Sequence, residues 1–353
     1  MTEEAGSTLV MDTGSYACRL GLSIEDAPRL SPRTTVGLPR GGGGPPVFGR
    51  EALERGTSHT VKGLLSHSGV EDWERLEQFW AANLAEMQLD LSQTALLSNF
   101  YPHFSKHVRE RSAQIFFENF NVPYYFTISN PLLVVYSSGK TTGLVLDSGH
   151  STSSVVPVFD GAPHYWAQTN EPAAGARVSE LLGRLLPPGG RSAHEVKERE
   201  NRVALDFARE AAELERMKVL PDGTPVDAPL ASLRAAESLF APREAGLPGP
   251  GLAELVAESL SKTEPEFRRE LLSSLLVAGG NTGFINFNER LVKELSHLVP
   301  STLKVKASNH PEKTASCWYG GAVVASLSTF HPMWVSRADY EENGPTIVSR
   351  KSI

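Results

Sequence analysis

Residues 7–22 read STLVMDTGSYACRLGL and residues 143–159 read GLVLDSGHSTSSVVPVF. In each, an apolar run of the kind that forms a buried strand ends on an aspartate, Asp12 or Asp147, and a small-residue turn leads into a returning strand. The two aspartates lie 147 − 12 = 135 residues apart. A third turn, Ala278-Gly279-Gly280-Asn281, follows the apolar run LLSSLLV. Two such aspartate turns suit either of two jobs: holding a nucleotide phosphate with its cation through turn amides that point at the anion, or acting as a paired acid and base.

Outward from these turns, the chain alternates strand and helix signals. Residues 70–87, VEDWERLEQFWAANLAEM, carry Trp73, Leu76, Phe79, Trp80 and Leu84 on one helical stripe. Strands are expected at 94–99 and 123–129, a helix at 107–120 and a short helix from Asn130-Pro131. The Gly/Pro stretch RGGGGPPVF at 40–48 reads as a mobile loop without a regular element. The second half is more helical, with helices expected at 176–186, 251–260, 266–276 and 287–298 and one long helix over 194–217; REAGLPGPG at 243–251 is a loop. A strand-turn-strand unit repeated within such an alternation predicts an α/β protein built from two related halves.

Composition narrows the function classes. The 353 residues suffice for about two core-forming domains. A formal charge of −7 gives no support to nucleic-acid binding. No run of 18 or more apolar residues suggests a membrane span, and the acidic start MTEEAGST is unlike a signal peptide. Cys18 and Cys317 are the only cysteines and are expected as free buried thiols, so cytosol or nucleus is the expected compartment.

The paired-acid alternative is an aspartic protease, whose signatures include DTGS and DSG. Such a chain is mostly β, and the helical blocks of the second half speak against it. The phosphate-clamp alternative meets a family resemblance. DAPR, VGLPR, FENFNVP, SSGKTTGLVLDSG, VALDF, LPDG, VPSTLKVK, WYGG, ASLSTF and the tail GPTIVSRKSI stand in the order in which actin has them. The chain is identified as a member of the actin family and resembles its divergent, germ-cell type.

That resemblance implies the actin-type fold shared with Hsp70 and sugar-kinase ATPases: two lobes, four subdomains, and ATP or ADP with Mg²⁺ in a cleft between the lobes. The first lobe would span 1–137 with a shortened outer subdomain at about 37–61. The second would span 138–330 with an outer helical subdomain at about 172–260, and 331–353 would return to the first.

Carried over by position, the first phosphate turn is Asp12, Thr13, Gly14 and Ser15 with Arg19, which replaces a lysine; Tyr16 stands where actin has glycine, a bulky side chain where backbone must approach the ligand. The second turn is Asp147, Ser148, Gly149, His150 and Ser151, the last two in place of Asp-Gly, with the Ser151 β-carbon expected to strain the turn. Gly175, Lys197, Glu198, Gly279, Gly280, Asn281 and Phe284 match the adenosine side, and Thr314, beside Lys313, replaces a lysine near the adenine. Asp12, Asn130 and Asp147 match the positions around the cation. The water-ordering glutamine and histidine of the family are replaced by Asn130 and Ser154, which implies weakened nucleotide binding and little or no hydrolysis.

The actin loop that reaches the next filament subunit is replaced here by Gly41 to Gly44 with Pro45 and Pro46. Ordinary polymerisation is therefore not expected. Tyr136, Gly139, Val324, Leu327 and Thr329 match the groove that takes helices of actin-binding proteins, so the implied partners are such proteins, actin or other actin-like chains. Two other patterns read as structural. Gly139-Lys140-Thr141 lacks the earlier glycine of a P-loop, and His103 and His107 read as surface histidines without a third metal ligand.

Overall fold

The computed structural model describes residues 8–172, 174–187, 192–200, 202–217 and 227–352. The acidic first residues and LPDG at 220–223 lie outside the described residues. The chain divides into two compact units, Met1–Thr141 with Ala315–Ile353, and Thr142–Thr314.

Among the described residues, the first unit is built on a five-stranded sheet ordered Val335–Ser336, Tyr124–Ser129, Leu96–Phe100, Leu9–Thr13, Cys18–Leu22. The three inner strands run parallel, which is why each is a nearly unbroken apolar run buried on both faces. Helix Trp73–Met87 covers the sheet; Asp72 caps it by accepting from the Arg75 amide, and Leu76, Phe79, Trp80, Leu84 and Met87 are buried. Trp80 packs on Phe116 with ring centroids 4.9 Å apart, and Phe116 stacks on Tyr125 at 5.3 Å. The helix expected over 107–120 is Lys106–Gln114 continued by a π turn, Ile115–Asn119.

Helix Ser316–Ala325 belongs to this first unit, whereas the sequence reading carried the second lobe on to residue 330. The reason is close approach through its glycines. A β-carbon on Gly320 would collide with the Leu133 carbonyl of helix Asn130–Ser137, and one on Gly321 would stand 2.6 Å from Val10 Cγ1.

A small sheet ordered Val47–Phe48, Thr35–Pro39, His59–Gly63 carries helix Gly49–Glu54. The stretch 40–48 is therefore not all loop. Val47 and Phe48 pair with Gly37 and Val36, because Val47 packs over Gly37, where a β-carbon would meet Val47 Cγ2 at 2.9 Å.

The second unit repeats the plan. Its sheet runs Ala162–Pro163, Ser153–Phe159, Gly143–Ser148, Leu275–Ala278, Ala307–Ser308, and Thr169–Glu171 also pairs with Ser153–Phe159. The long helix expected over 194–217 is broken into Ala193–Arg199 and Phe207–Arg216. Between them Val203 and Ala204 are buried in the core and the Val203 amide donates to the Ile285 carbonyl, after which Asp206 caps the second piece. The stretch 266–276 is helix only to Ser273; Leu275–Ala278 is the central strand. Helix Asp227–Glu237 had no counterpart in the sequence reading.

Candidate functional site

The two aspartate hairpins share one register. In the first, Asp12 faces Arg19 and Thr13 faces Cys18; in the second, Asp147 faces Ser154 and Ser148 faces Ser153. The Gly14 amide donates to the Ala17 carbonyl at 3.1 Å and the Gly149 amide to the Thr152 carbonyl at 3.0 Å, so both turns close with the same bond. Those two amides serve the hairpins themselves, against the expectation that they point at an anion. Each aspartate strand also has a parallel neighbour, Leu96–Phe100 in the first unit and Leu275–Ala278 in the second. The repeat read from sequence is thus a three-strand unit made twice.

In the first turn, Asp12 is 5% exposed and Arg19 Nη1 lies 3.3 Å from its Oδ2. Burial holds its carboxyl above the usual carboxylate range, with Arg19 opposing. Asn99, at the end of the parallel strand, accepts from the Thr13 amide at 2.8 Å; its Nδ2 donates to Asp12 Oδ1 at 2.9 Å and to Asn130 Oδ1 at 3.0 Å. Sequence reasoning missed Asn99. Its signal was a polar residue closing the strand at 94–99, which gains meaning only once the two parallel strands are in register.

Behind this turn Trp80 Nε1 donates to Thr13 Oγ1 at 3.3 Å, and that hydroxyl lies 3.4 Å from Cys18 Sγ, whose thiol is pushed up to about 12 by burial. Cys18 and Cys317 are free and buried, as expected. Gly14 is required, since a β-carbon would stand 2.9 Å from the Ala17 carbonyl oxygen. Ser15 is buried in the turn. The Tyr16 ring lies under the Arg33 guanidinium, 3.3 Å from centroid to Cζ. Neither Tyr16 nor Ser151 takes left-handed backbone, so the strain expected of a β-carbon at Ser151 is not found.

In the second turn, Ser148 Oγ lies 2.9 Å from Ser153 Oγ and accepts from Asn281 Nδ2 at 3.1 Å; the same Nδ2 donates to the Gly149 carbonyl at 2.8 Å. The start of helix Gly175–Leu185 closes over the turn, with the Gly175 amide on the Gly149 carbonyl at 3.0 Å and the Ala176 amide on the His150 carbonyl at 2.7 Å. Lys197 Nζ donates to the Gly175 carbonyl at 2.5 Å and to Ser179 Oγ at 3.3 Å. A β-carbon on Gly175 would stand 2.7 Å from Asn281 Oδ1 and 2.8 Å from Lys197 Nζ.

Gly279 has φ +90°, and a β-carbon there would stand 2.6 Å from Asp147 Oδ1, whereas Gly280 has open space. Asp147, Ser148, Gly149, Gly175, Lys197, Gly279 and Asn281 are therefore drawn together in the second unit. Glu198 is not among them: it is exposed, 3.4 Å from His194 Nε2. Phe284 is 6% exposed and belongs to the core around Phe240 and Phe287. Lys313 Nζ donates to the Thr282 carbonyl at 3.3 Å.

Of the residues expected around a cation, Asp147 lies in the second unit. In the first, Asn99 holds one oxygen of Asp12 and the amide oxygen of Asn130, and Arg19 holds the other oxygen of Asp12. Among the described residues, no group of three or more His, Cys, Asp or Glu could hold a metal ion. A hard cation needs several oxygens free of positive neighbours. Asp12 and Asn130 do not fit one.

The residues matched to the partner groove all lie in the first unit. Tyr136 is half-buried and Gly139, Leu327 and Thr329 are exposed, but Val324 is 2% exposed and packs inward. Its neighbour Val323 is the outward residue, since consecutive positions on a helix face apart. His103 also departs from expectation. Its ring packs between Tyr101 and Phe104, both ring nitrogens are buried without a partner among the described residues, and desolvation lowers it to about 4. His107 is exposed.

Among the described residues no helix is long and apolar enough to cross a membrane. The family model described as Actin matches residues 3–192 and 190–353, nearly the whole chain. Members of that family generally bind ATP or ADP with Mg²⁺. With two hairpins of one register on an α/β frame, the match removes the aspartic-protease reading: the chain belongs to the actin family.

Proposed function

We propose that this chain is a divergent actin-like structural protein, a scaffold or partner-binding component of a cytoskeletal assembly, with weakened nucleotide binding and little or no ATP hydrolysis. The observation that carries this reading is the state of the two water-ordering positions. The Asn130 amide oxygen is already held by Asn99, and Ser154 presents a short hydroxyl, 7% exposed, opposite Asp147. A general base or water-ordering group must reach its water within about 3 Å, and serine lacks the imidazole's basicity. The adenosine side would rest on Gly175, Lys197, Gly279, Gly280 and Asn281, without Glu198 and Phe284.

The partner face would be Tyr136, Gly139, Val323, Leu327 and Thr329, of which Val323 and Leu327 are 46% and 48% exposed. Two exposed apolar side chains beside a half-buried tyrosine suit the apolar stripe of a partner helix. The assembly would be one of germ-cell structures, in the cytoplasm or nucleus, a reading supported by the subgroup resemblance alone.

The test is phosphate release from ATP together with sedimentation of the purified chain. The structural reading expects turnover at the buffer background and no self-assembled pellet on adding ATP. Sustained turnover with ATP-driven pelleting would instead make the chain an active, polymerising actin-like ATPase.

A further inference from the structure

We propose that the first turn takes the phosphate groups of a nucleotide without a divalent cation, Arg19 supplying the positive charge; this rests on the nucleotide-binding part of the reading above. Both oxygens of Asp12 are engaged, Oδ1 by Asn99 Nδ2 at 2.9 Å and Oδ2 by Arg19 Nη1 at 3.3 Å. Asn130 gives its oxygen to Asn99 as well, at 3.0 Å, which leaves its NH₂ end as the group it can offer elsewhere. The turn therefore holds one negative and one positive charge, and most of the guanidinium donors remain unused. The arginine beside the carboxylate disfavours a cation there, and its unused donors suit an anion.

Arg19 is built for the second task. A guanidinium has five N–H donors in a planar fork that matches two phosphate oxygens. Among the described residues its hydrogen-bond partner is Asp12, through Nη1 alone, and 17% of the side chain reaches the surface. Asp12 thus orients the fork and leaves most of its donors for a ligand.

The experiment is calorimetric titration of the full chain with ATP in EDTA and in millimolar Mg²⁺, and with pyrophosphate in EDTA as a probe lacking the adenosine. The expected result is an ATP affinity in EDTA within threefold of that in Mg²⁺, with measurable pyrophosphate binding. Arg19→Ala, checked to be fully folded at the assay temperature, should weaken binding in EDTA tenfold or more, and Arg19→Lys should recover part of the loss. Tenfold tighter binding with Mg²⁺, or an Arg19→Ala affinity equal to that of the unaltered chain, overturns the proposal. So does no binding in either buffer, which leaves the structural-protein reading standing; Mg²⁺-dependent turnover defeats both. Should Arg19→Ala not fold, the comparison of EDTA with Mg²⁺ on the unaltered chain decides alone.

Discussion

Arg19 stands directly across the first hairpin from Asp12, Nη1 to Oδ2 3.3 Å, and Ser154 occupies the same place opposite Asp147 in the second. Residues facing across an antiparallel pair project on the same side of the sheet. One hairpin therefore sets an arginine directly opposite its aspartate, and the other sets a serine there. The two halves, alike in register, have diverged in electrostatics at equivalent positions.

Removing Arg19 alone leaves the buried Asp12 charge uncompensated. Arg19→Met should cost about 2–3 kcal/mol in urea unfolding, below the full buried-pair penalty because the guanidinium is partly exposed. Asp12→Asn combined with Arg19→Met should restore most of that loss. Equal instability of the single and double variants would show that Arg19 acts through packing rather than charge.

A second buried pair pins the helices of the second unit. Arg290 Nη2 lies 2.5 Å from Glu237 Oε1, Nη1 donates to the Ala204 carbonyl, and the two side chains are 9% and 4% exposed. Arg290→Met should destabilise by about 3–5 kcal/mol and expose the segment around Val203 to proteolysis. A loss under 1 kcal/mol would mean that the segment is held by its backbone bonds instead.

His103 predicts a pH dependence. Its folded value of about 4 lies below the ordinary imidazole value of 6.5 because burial, aided by the nearby His67 charge, disfavours the imidazolium. The unfolded chain then binds the extra proton between those values, so stability falls as pH drops from about 6.5 to 4 and is level above. Between pH 7 and 5 the unaltered protein should lose roughly 1.5–2 kcal/mol more than His103→Phe, read from urea midpoints at each pH. Parallel curves for the two proteins would place His103 in solvent.

Gly320→Ala tests the seating of helix Ser316–Ala325 on Asn130–Ser137. The added methyl would collide with the Leu133 backbone, which cannot rotate away as a side chain would. A loss of about 2–3 kcal/mol is expected in thermal or urea unfolding. Unchanged stability would mean the two helices sit further apart.

Much of the fold was legible because its signals are local. The alternation and small-residue turns at 7–22 and 143–159 specify hairpins through backbone sterics and side-chain period, and the Asp72-capped stripe of Trp73–Met87 is read from residues one turn apart. The same holds for Gly14, where a β-carbon would meet the carbonyl of Ala17 within the same turn.

Where local signals misled, a distant neighbour won. Residues 194–217 carry enough helix-forming side chains for one helix, but burial of Val203 and Ala204 and the bond to Ile285 break it. Val47 and Phe48 gain strand structure from Gly37, ten residues away or more in sequence.

By itself, then, the sequence determined the repeated α/β plan, the family and the two aspartate turns, because hydrophobic period, turn chemistry and motif order are written along the chain. Only the tertiary structure decided what those turns carry. Asn99 lies 87 residues from Asp12 and 31 from Asn130, and the bonds that engage their oxygens exist only when parallel strands bring all three to one sheet edge.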